Sequence, residues 1–218
     1  MSPKNILVEI SEIPVRKEGR NTGGLLSFVI EEPDFILLEG PNGSGKTYLL
    51  NLIAALTEPN TGEVIVEGHS VSVMSESEKL AWRRTLGLIP SHSNLFTSYT
   101  VLENLRLSAQ LLGIKPKEAI EYSKESAELC GLSKYLDEKV ENLSEGLRKR
   151  VVIARALVGR PKMILADNPL EGLDGTSQEQ FLYLCTKLAK IGYAVVMTSS
   201  VPLPLEIKSL RVINLGGS

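Results

Sequence analysis

The sequence predicts an α/β fold with a parallel core sheet, and three features of its pattern lead to this prediction. Short apolar runs typical of buried strands alternate with segments of helical periodicity along most of the 218 residues. A glycine-rich loop at residues 40–47 joins a strand-like run to a helix-like one. Residues 94–159 show almost continuous helical periodicity, which indicates an insert. We therefore expect one domain over residues 1–218, with an N-terminal antiparallel β subdomain and a helical subdomain added to the core.

The expected strands are short apolar runs bounded by turn residues. The first two, at 6–10 and 25–30, are separated by the polar, glycine-containing stretch 16–24, which predicts paired strands joined by a loop. A turn at 59–62 precedes the fourth strand. The strands after the N-terminal pair are expected at 35–39, 63–66, 86–89, 163–166, 194–198 and 210–215.

Six segments carry apolar residues at helical spacing. They lie at 48–56, 75–84, 101–112, 116–130, 147–157 and 177–191. The second of these begins with polar residues and is rich in charge, as a surface helix is. Helices that alternate with strands in the C-terminal part of the chain indicate that the core strands run parallel.

Composition narrows the classes of function. The 24 basic and 26 acidic residues nearly balance, so bulk charge does not indicate a nucleic-acid partner. Cys130 and Cys185 lie far apart in helix-like segments and are expected to be reduced and packed, which fits the cytosol. No run approaches the roughly 18 apolar residues of a membrane span, and the start lacks the apolar core of a signal peptide. A membrane role would therefore require a separate partner.

Residues 40–47 match the phosphate-binding pattern GxxxxGK[ST] at every fixed position, in the strand–loop–helix context that the motif requires. Glycines let backbone N–H groups approach a polyphosphate closely, and the helix that follows directs its N-terminal dipole at the phosphates. Lys46 is expected to neutralise the β- and γ-phosphates and the Thr47 hydroxyl to hold Mg²⁺. A glycine turn before an ordinary helix is the simpler alternative. The residues expected to bind the nucleotide are Gly40, Pro41, Asn42, Gly43, Ser44, Gly45, Lys46, Thr47 and Tyr48.

A second element of the phosphate site is expected at Asp167. Four apolar residues precede it, so a strand places its carboxylate at the carboxyl end of the sheet, where open α/β folds bind ligands. We expect Asp167 to be the Mg²⁺ partner of Thr47.

Three further stretches contain motif-like residues: LSEGLRKRVVIARAL at 143–157, LADNPLEGLD at 165–174 and NLFTSYTVLENL at 94–105. They resemble the ATP-binding cassette (ABC) ATPases, a P-loop NTPase family with a RecA-like core. Residues 143–157 read LSEGLRKRVVIARAL, where the family has LSGGQ and then a run like QRVAIARAL. Residues 165–169 and 172–174 read LADNP and GLD, similar to the family's LADEPT and to a D-loop that ends in LD. Residues 94–105 are similar to the family's NLFxxxTVLENL. Residues 165–167 and 100–105 look most like the cassettes of lipoprotein-release, macrolide-export and lipid-trafficking systems.

The resemblance implies partners. ABC cassettes sandwich ATP between two copies, so it implies a dimer in which Ser144 and Gly146 face the γ-phosphate bound by the other cassette. An ordinary serine cap of a helix is the simpler interpretation of Ser144, and both roles are compatible. The resemblance also implies an integral membrane transporter subunit and a peripheral location on the cytoplasmic face. Leu95, Phe96 and Tyr99 are apolar for a loop and indicate either docking of that subunit or packing at a hinge.

Five departures from the family pattern concern the positions that act on water and nucleotide. Asn168 stands where active members have a catalytic glutamate, and Ser91 stands at the Q-loop glutamine, with His92 beside it. Ser199 occupies the position of the switch histidine. Before residue 28 there is no aromatic side chain to stack on adenine, and Val15 lies near the expected place. Glu145 and Leu147 alter the signature.

These departures favour a degenerate cassette that binds MgATP and hydrolyses it weakly or not at all. Two alternatives stay open: an active ATPase in which Asn168 or His92 positions the water, and an ATP-dependent regulatory module outside transport. A homodimer and a heterodimer are equally compatible with the altered signature. We expect no C-terminal regulatory domain, because the last strand ends close to residue 218.

Overall fold

The computed structural model describes residues 5–17, 20–91 and 94–216. Within them the chain forms two β-sheets, one antiparallel and one parallel, and six α-helices. Both sheets and their directions agree with the expected fold class.

The antiparallel sheet is built from the N-terminal part of the chain. Its strands are β1 (Asn5–Lys17), β2 (Arg20–Glu32), β4 (Glu63–Val66) and β5 (His69–Ser70), in the order β2-β1-β4-β5. The loop expected at 16–24 is wrong, because β1 and β2 continue to pair through Arg16 with Asn21 and Lys17 with Arg20. Adjacent strands of a hairpin extend their backbone ladder beyond the apolar residues that mark them in the sequence, and shifts of register accommodate the irregular pattern.

The parallel sheet forms the centre of the molecule. Its strands are β3 (Asp34–Glu39), β6 (Leu86–Ile89), β7 (Met163–Ala166), β8 (Ala194–Ser199) and β9 (Arg211–Asn214), in the order β6-β7-β8-β3-β9. Every neighbouring pair is parallel. The carboxyl ends of the strands therefore meet at one edge, and β3, β7 and β8 lie side by side there.

The helices begin and end within three residues of the expected positions. They are α1 (Lys46–Ile53), α2 (Glu76–Arg84), α3 (Val101–Leu111), α4 (Pro116–Leu129), α5 (Glu145–Leu157) and α6 (Gly175–Lys190). Ser75 and Thr100 start α2 and α3 with capping boxes, which satisfy N–H groups that have no partner within the helix. Across the described ranges, no helix combines the length and the apolar character needed to cross a bilayer.

Two apolar clusters cover the two faces of the parallel sheet. Phe35 and Leu37 pack into the cluster formed with α3 to α6, while Ile36 and Leu38 pack into the cluster formed with α1 and the antiparallel sheet. Side chains on a strand alternate between faces, so β3 contributes to both. A sheet buried on both faces is held rigidly, and the loops at its carboxyl edge are placed by a rigid support.

Candidate nucleotide site at the carboxyl edge of the sheet

The loop after β3 has the conformation that a phosphate-binding loop requires. Gly43 and Gly45 have φ angles of 81° and 93°, a region that side chains other than glycine rarely adopt. A Cβ added at Gly40 would lie 2.7 Å from the Ser44 Oγ. The loop is therefore a tight backbone cradle that leads into α1 without a side-chain cap.

Lys46 lies inside this cradle and is 5 % exposed. Its Nζ donates hydrogen bonds to the Gly40 and Pro41 carbonyl oxygens, at 2.6 and 2.9 Å. Burial lowers the pKa of the Lys46 ammonium, and the Asp167 carboxylate acts in the opposite direction. The hydrogen bonds of this buried cation go only to neutral carbonyls. An anionic ligand fits here, because its negative charge compensates the ammonium for the water that burial has removed.

The Ser44 side chain is a second indication that the loop suits a phosphate ligand. Its side chain is 2 % exposed, and its Oγ has no hydrogen-bond partner in the part of the chain that the structure describes. Buried hydroxyls normally have a partner, so one without a partner inside a cradle of backbone N–H groups fits a phosphate oxygen.

Asp167 and Thr47 are brought together across 120 residues of sequence. The Thr47 Oγ1 lies 3.2 and 3.0 Å from the two carboxylate oxygens of Asp167. Hydroxyl and carboxylate oxygens are the ligands that Mg²⁺ takes, together with water and phosphate oxygens. No group of three or more His, Cys, Asp or Glu side chains suited to a metal occurs in the described residues, and a site of this type does not need one.

Thr198, at the end of β8, orders this carboxylate and was not anticipated. Its Oγ1 donates to the Asp167 Oδ1 at 2.9 Å and accepts from the Asn168 backbone N–H at 2.7 Å. The side chain is fully buried. A polar threonine near the end of an otherwise apolar strand is the signal in the sequence that could have indicated this role of Thr198.

The two serines after Thr198 face different ways. Ser199 is 4 % exposed, and its Oγ donates to the Val201 carbonyl oxygen at 2.6 Å, so it is turned into its own loop. The Ser200 Oγ instead lies 2.7 Å from the Asn42 Oδ1 and 3.4 Å from the Asn168 Oδ1. Of the pair, Ser200 therefore reaches the site directly, although Ser199 occupies the expected position.

Asn168 has a backbone φ of 42°, in the left-handed region that asparagine tolerates better than most residues. Together with Asn42 and Ser200 it lines a cleft of about 310 Å³ that also includes Glu171. Amides and hydroxyls line it together with the Glu171 carboxylate and with apolar side chains such as Leu170 and Pro202.

The remaining expected residues are placed as follows. The Ser91 carbonyl accepts a hydrogen bond from the Lys149 Nζ at 3.5 Å, and His92 lies outside the described residues. The Ser144 Oγ accepts from the Leu147 N–H at 3.4 Å, so Ser144 is the cap of α5, with Gly146 half-buried in its first turn. Val15 is buried in the β1–β2 hairpin, and Tyr48 packs partly buried against the cluster around α1.

The chain is similar to known proteins of one family. A family model described as ABC transporter matches residues 25–171. An uncharacterized ABC transporter ATP-binding protein of Thermotoga maritima is 37% identical over 175 residues, which cover 80% of this chain and 75% of that protein. The lipoprotein-releasing system ATP-binding protein LolD of Bacteroides thetaiotaomicron is 37% identical over 151 residues, 69% of each chain.

Among solved structures, the dimeric post-hydrolysis state of the ATP-binding cassette MJ0796 bound to ADP and Pi has a TM-score of 0.71 and 28% identity, over 88% of both chains. The expected P-loop NTPase fold is confirmed, and so is the expected resemblance to ABC cassettes, including those of lipoprotein-release systems. The chain belongs to the ABC transporter family and is one of its ATP-binding cassettes.

Proposed function

We propose that this cassette is a transporter subunit that binds MgATP between itself and a second cassette and hydrolyses it slowly or not at all. One observation carries the proposal: the groups that hold phosphate and metal are assembled around Lys46, Thr47 and Asp167, while an amide follows Asp167. In this proposal residues 1–218 form a single cassette, with residues 94–159 as its helical subdomain.

Binding uses the loop and the end of β7. The backbone from Gly40 to Thr47 and the start of α1 at Tyr48 surround the phosphates, Lys46 moves from loop carbonyls to phosphate oxygens, and Ser44 gains an acceptor. Thr47 and Asp167 would hold Mg²⁺, which would supply positive charge against the phosphates. Replacing neutral carbonyls by charged oxygens strengthens the hydrogen bonds of the Lys46 ammonium.

The position after Asp167 lacks the general base that hydrolysis of the nucleotide uses. The Asn168 amide orients a water molecule but cannot accept its proton, and a general base typically contributes about 10²–10⁴-fold, or roughly 3–5 kcal/mol of barrier. Ser91 and Ser199 stand at the other two positions that act on the γ-phosphate in the family. A serine reaches less far than glutamine or histidine, so neither restores what Asn168 lacks.

The second cassette is supported by the MJ0796 relative, whose structure is described as dimeric. In such a dimer, Ser144 and the Gly146 N–H at the start of α5 face the phosphates held by the partner, where the helix dipole favours negative charge. A homodimer and a heterodimer both accommodate this arrangement.

A membrane subunit is supported by the loop before α3, which we propose as its docking site on the cytoplasmic face. The Phe96 and Tyr99 side chains are 52 and 45 % exposed and stack with ring centroids 5.4 Å apart. The buried Asn104 amide holds the loop through the Phe96 N–H and through the Phe96 and Thr100 carbonyls, at 2.9–3.0 Å. Exposed aromatic rings on a loop fixed in this way fit a protein partner.

A working ATPase is the second candidate, and Glu171 favours it. This residue lines the same cleft as Asn168, and its backbone N–H donates to the Asn168 carbonyl at 3.1 Å. A carboxylate three residues further on offers a base at the same end of the site.

One experiment separates the two candidates: calorimetric titration with MgATP, and turnover of the same sample, for the wild-type chain and the variant Glu171→Gln. We expect ATP binding that depends on Mg²⁺, with turnover at least about 100-fold below an ordinary 10 s⁻¹ and unchanged in the variant. Ordinary turnover that the variant loses supports the working ATPase. A wild-type chain that binds no nucleotide contradicts both.

A further inference from the structure

A groove of about 660 Å³ lies between α6 and the segment that follows β8. One wall is a stripe along α6, where positions three or four apart in sequence come to lie on one face. Residues 205–209 form the other wall. Among the residues that the structure describes, the groove shares none of its lining with the cleft around Asn168, so it is separate from the candidate nucleotide site. The stripe on α6 consists of Glu179, Gln180, Leu182, Tyr183, Thr186 and Lys190.

The base of this groove is apolar. Leu182 is fully buried, and Leu205 and Ile207 are half-buried and pack against the apolar cluster formed with α3 to α6. The Tyr183 side chain is 75 % exposed and stands at the mouth. The α6 wall is roughly 16 Å long, at about 1.5 Å of rise per residue. Small-ligand sites have volumes of about 300–1,000 Å³ and mostly apolar linings, so the groove has the size and character to hold an extended apolar chain.

Arg150 places a guanidinium in the same groove from α5. Its side chain is half-buried, and its Nη2 donates to the Gln180 Oε1, a neutral amide oxygen, at 3.0 Å. No carboxylate of the described residues forms an ion pair with Arg150. A guanidinium has five N–H donors and binds both oxygens of a carboxylate at once. Arg150 therefore has donors to offer to an anionic group in the groove.

The other charged side chains of the lining leave this preference in place. Lys190 and Lys208 add two cations to Arg150, while Glu179 and Glu206 are the carboxylates of the lining. These four side chains belong to exposed residues, where charges are screened by water and salt. The half-buried guanidinium is screened less, and the balance of the lining is one positive charge. Between two ligands of equal shape, the groove therefore favours the anion.

We propose that this groove is a binding site for a free amphipathic carboxylate, with the anionic head at Arg150 and an unbranched acyl chain along the apolar base. The guanidinium exchanges part of its contact with Gln180 for a charged partner, which forms the stronger hydrogen bond. The chain removes apolar surface of Leu182, Leu205 and Ile207 from water. The site is additional to the proposed nucleotide binding and does not depend on it, so either proposal can fail without the other.

The test is titration calorimetry with sodium dodecanoate, kept below its micelle concentration, on four proteins: the wild-type chain, Arg150→Gln, Tyr183→Asp and Arg84→Gln. Arg84 is an exposed arginine of α2 outside the groove and serves as the matched control. We expect Arg150→Gln to weaken binding about tenfold, since hydrogen bonds to charged groups are worth about that much. Tyr183→Asp should weaken it about fivefold, because it removes apolar area and adds a like charge at the mouth. Arg84→Gln stays within about twofold of the wild type.

Two further probes separate the head from the chain. Octanoate keeps the carboxylate and loses four CH₂ groups, so we expect its binding to be at least about tenfold weaker than that of dodecanoate. Dodecyltrimethylammonium keeps the chain and reverses the charge, and its binding to the wild-type chain should also be at least about tenfold weaker.

Each result decides for or against the site. A wild-type chain that does not bind dodecanoate, or that binds the ammonium equally well, overturns the inference and leaves the proposed nucleotide binding untouched. Equal losses in Arg150→Gln and Arg84→Gln would show attraction to the whole surface and overturn it as well. Melting temperatures are recorded for all variants. If Arg150→Gln does not fold, Tyr183→Asp decides, because Tyr183 is exposed and its replacement leaves the core intact; unchanged affinity in that variant also contradicts the site.

Discussion

Two ends of one site differ in the charge of their side chains. At the metal end the Lys46 ammonium and the Asp167 carboxylate are buried or partly buried around the phosphate loop, with Thr47 between them. At the other end Asn42, Asn168 and Ser200 meet as neutral amides and a hydroxyl. Under the proposed function, binding and bond cleavage are separable, because the metal end holds the phosphates and the neutral end has an amide where cleavage needs a base.

The largest effect is expected from removing the charge at the metal end. Lys46→Ala should weaken MgATP binding about 100-fold, or about 2.7 kcal/mol, because no other described side chain places a cation inside the cradle. Titration calorimetry gives the measurement. Lys79→Ala is the matched control, since Lys79 is also buried but is paired with Glu58 at 2.5 Å, away from the loop. Equal losses in the two variants would show that the charge at 46 has no special role.

A base restored at the neutral end sharpens the comparison. Asn168→Glu should raise turnover about 100-fold, the lower end of what a general base contributes, while Asn168→Gln should leave it unchanged. Glutamate is less suited than asparagine to the φ of 42°, so the variant should also lose on the order of 1 kcal/mol of stability. Steady-state phosphate release and chemical denaturation measure the two effects. No gain in turnover from the glutamate would mean that the missing base is not what limits the enzyme.

The smallest effect concerns the residue that connects the two ends. Thr198→Val should cost about 2 kcal/mol of unfolding free energy, because it leaves the Asn168 N–H and the Asp167 Oδ1 without their buried partner. Urea denaturation provides the value. Thr186→Val is the control, since the Thr186 hydroxyl only returns to the Leu182 carbonyl of its own helix. A cost no larger than that of the control would show that the hydrogen bonds of Thr198 with Asp167 and Asn168 do not stabilise the fold.

The sequence was sufficient for the parts of the fold that depend on local pattern. Strands β6 and β7 have the predicted bounds, because apolar runs flanked by turn residues leave little freedom in where a buried strand begins. The hairpin of β1 and β2 was predicted too short, since its ladder continues through polar residues by pairing between strands, which no single segment records.

The residues of the site could likewise be predicted only in part from the sequence. The phosphate loop could be identified from its motif, and Asp167 from its place after a strand. The contacts of Ser200 could not, because whether residue 199 or 200 faces the cleft depends on the hydrogen bonds of Ser199 with Val201. The orientation of a side chain in an irregular loop is decided by such partners and leaves no periodic trace in the sequence.

The hydrogen bond from the Gly40 N–H to the Ser199 carbonyl has a consequence for the history of the site. It joins the main chains of two loops and so is indifferent to which side chains those loops carry. A lineage that exchanges the residues at 199 and 200 changes the chemistry of the pocket while the mechanical link between the loops persists. Under the proposed function, we therefore expect a few substitutions at such positions to restore cleavage, because the main-chain link between the two loops does not depend on them.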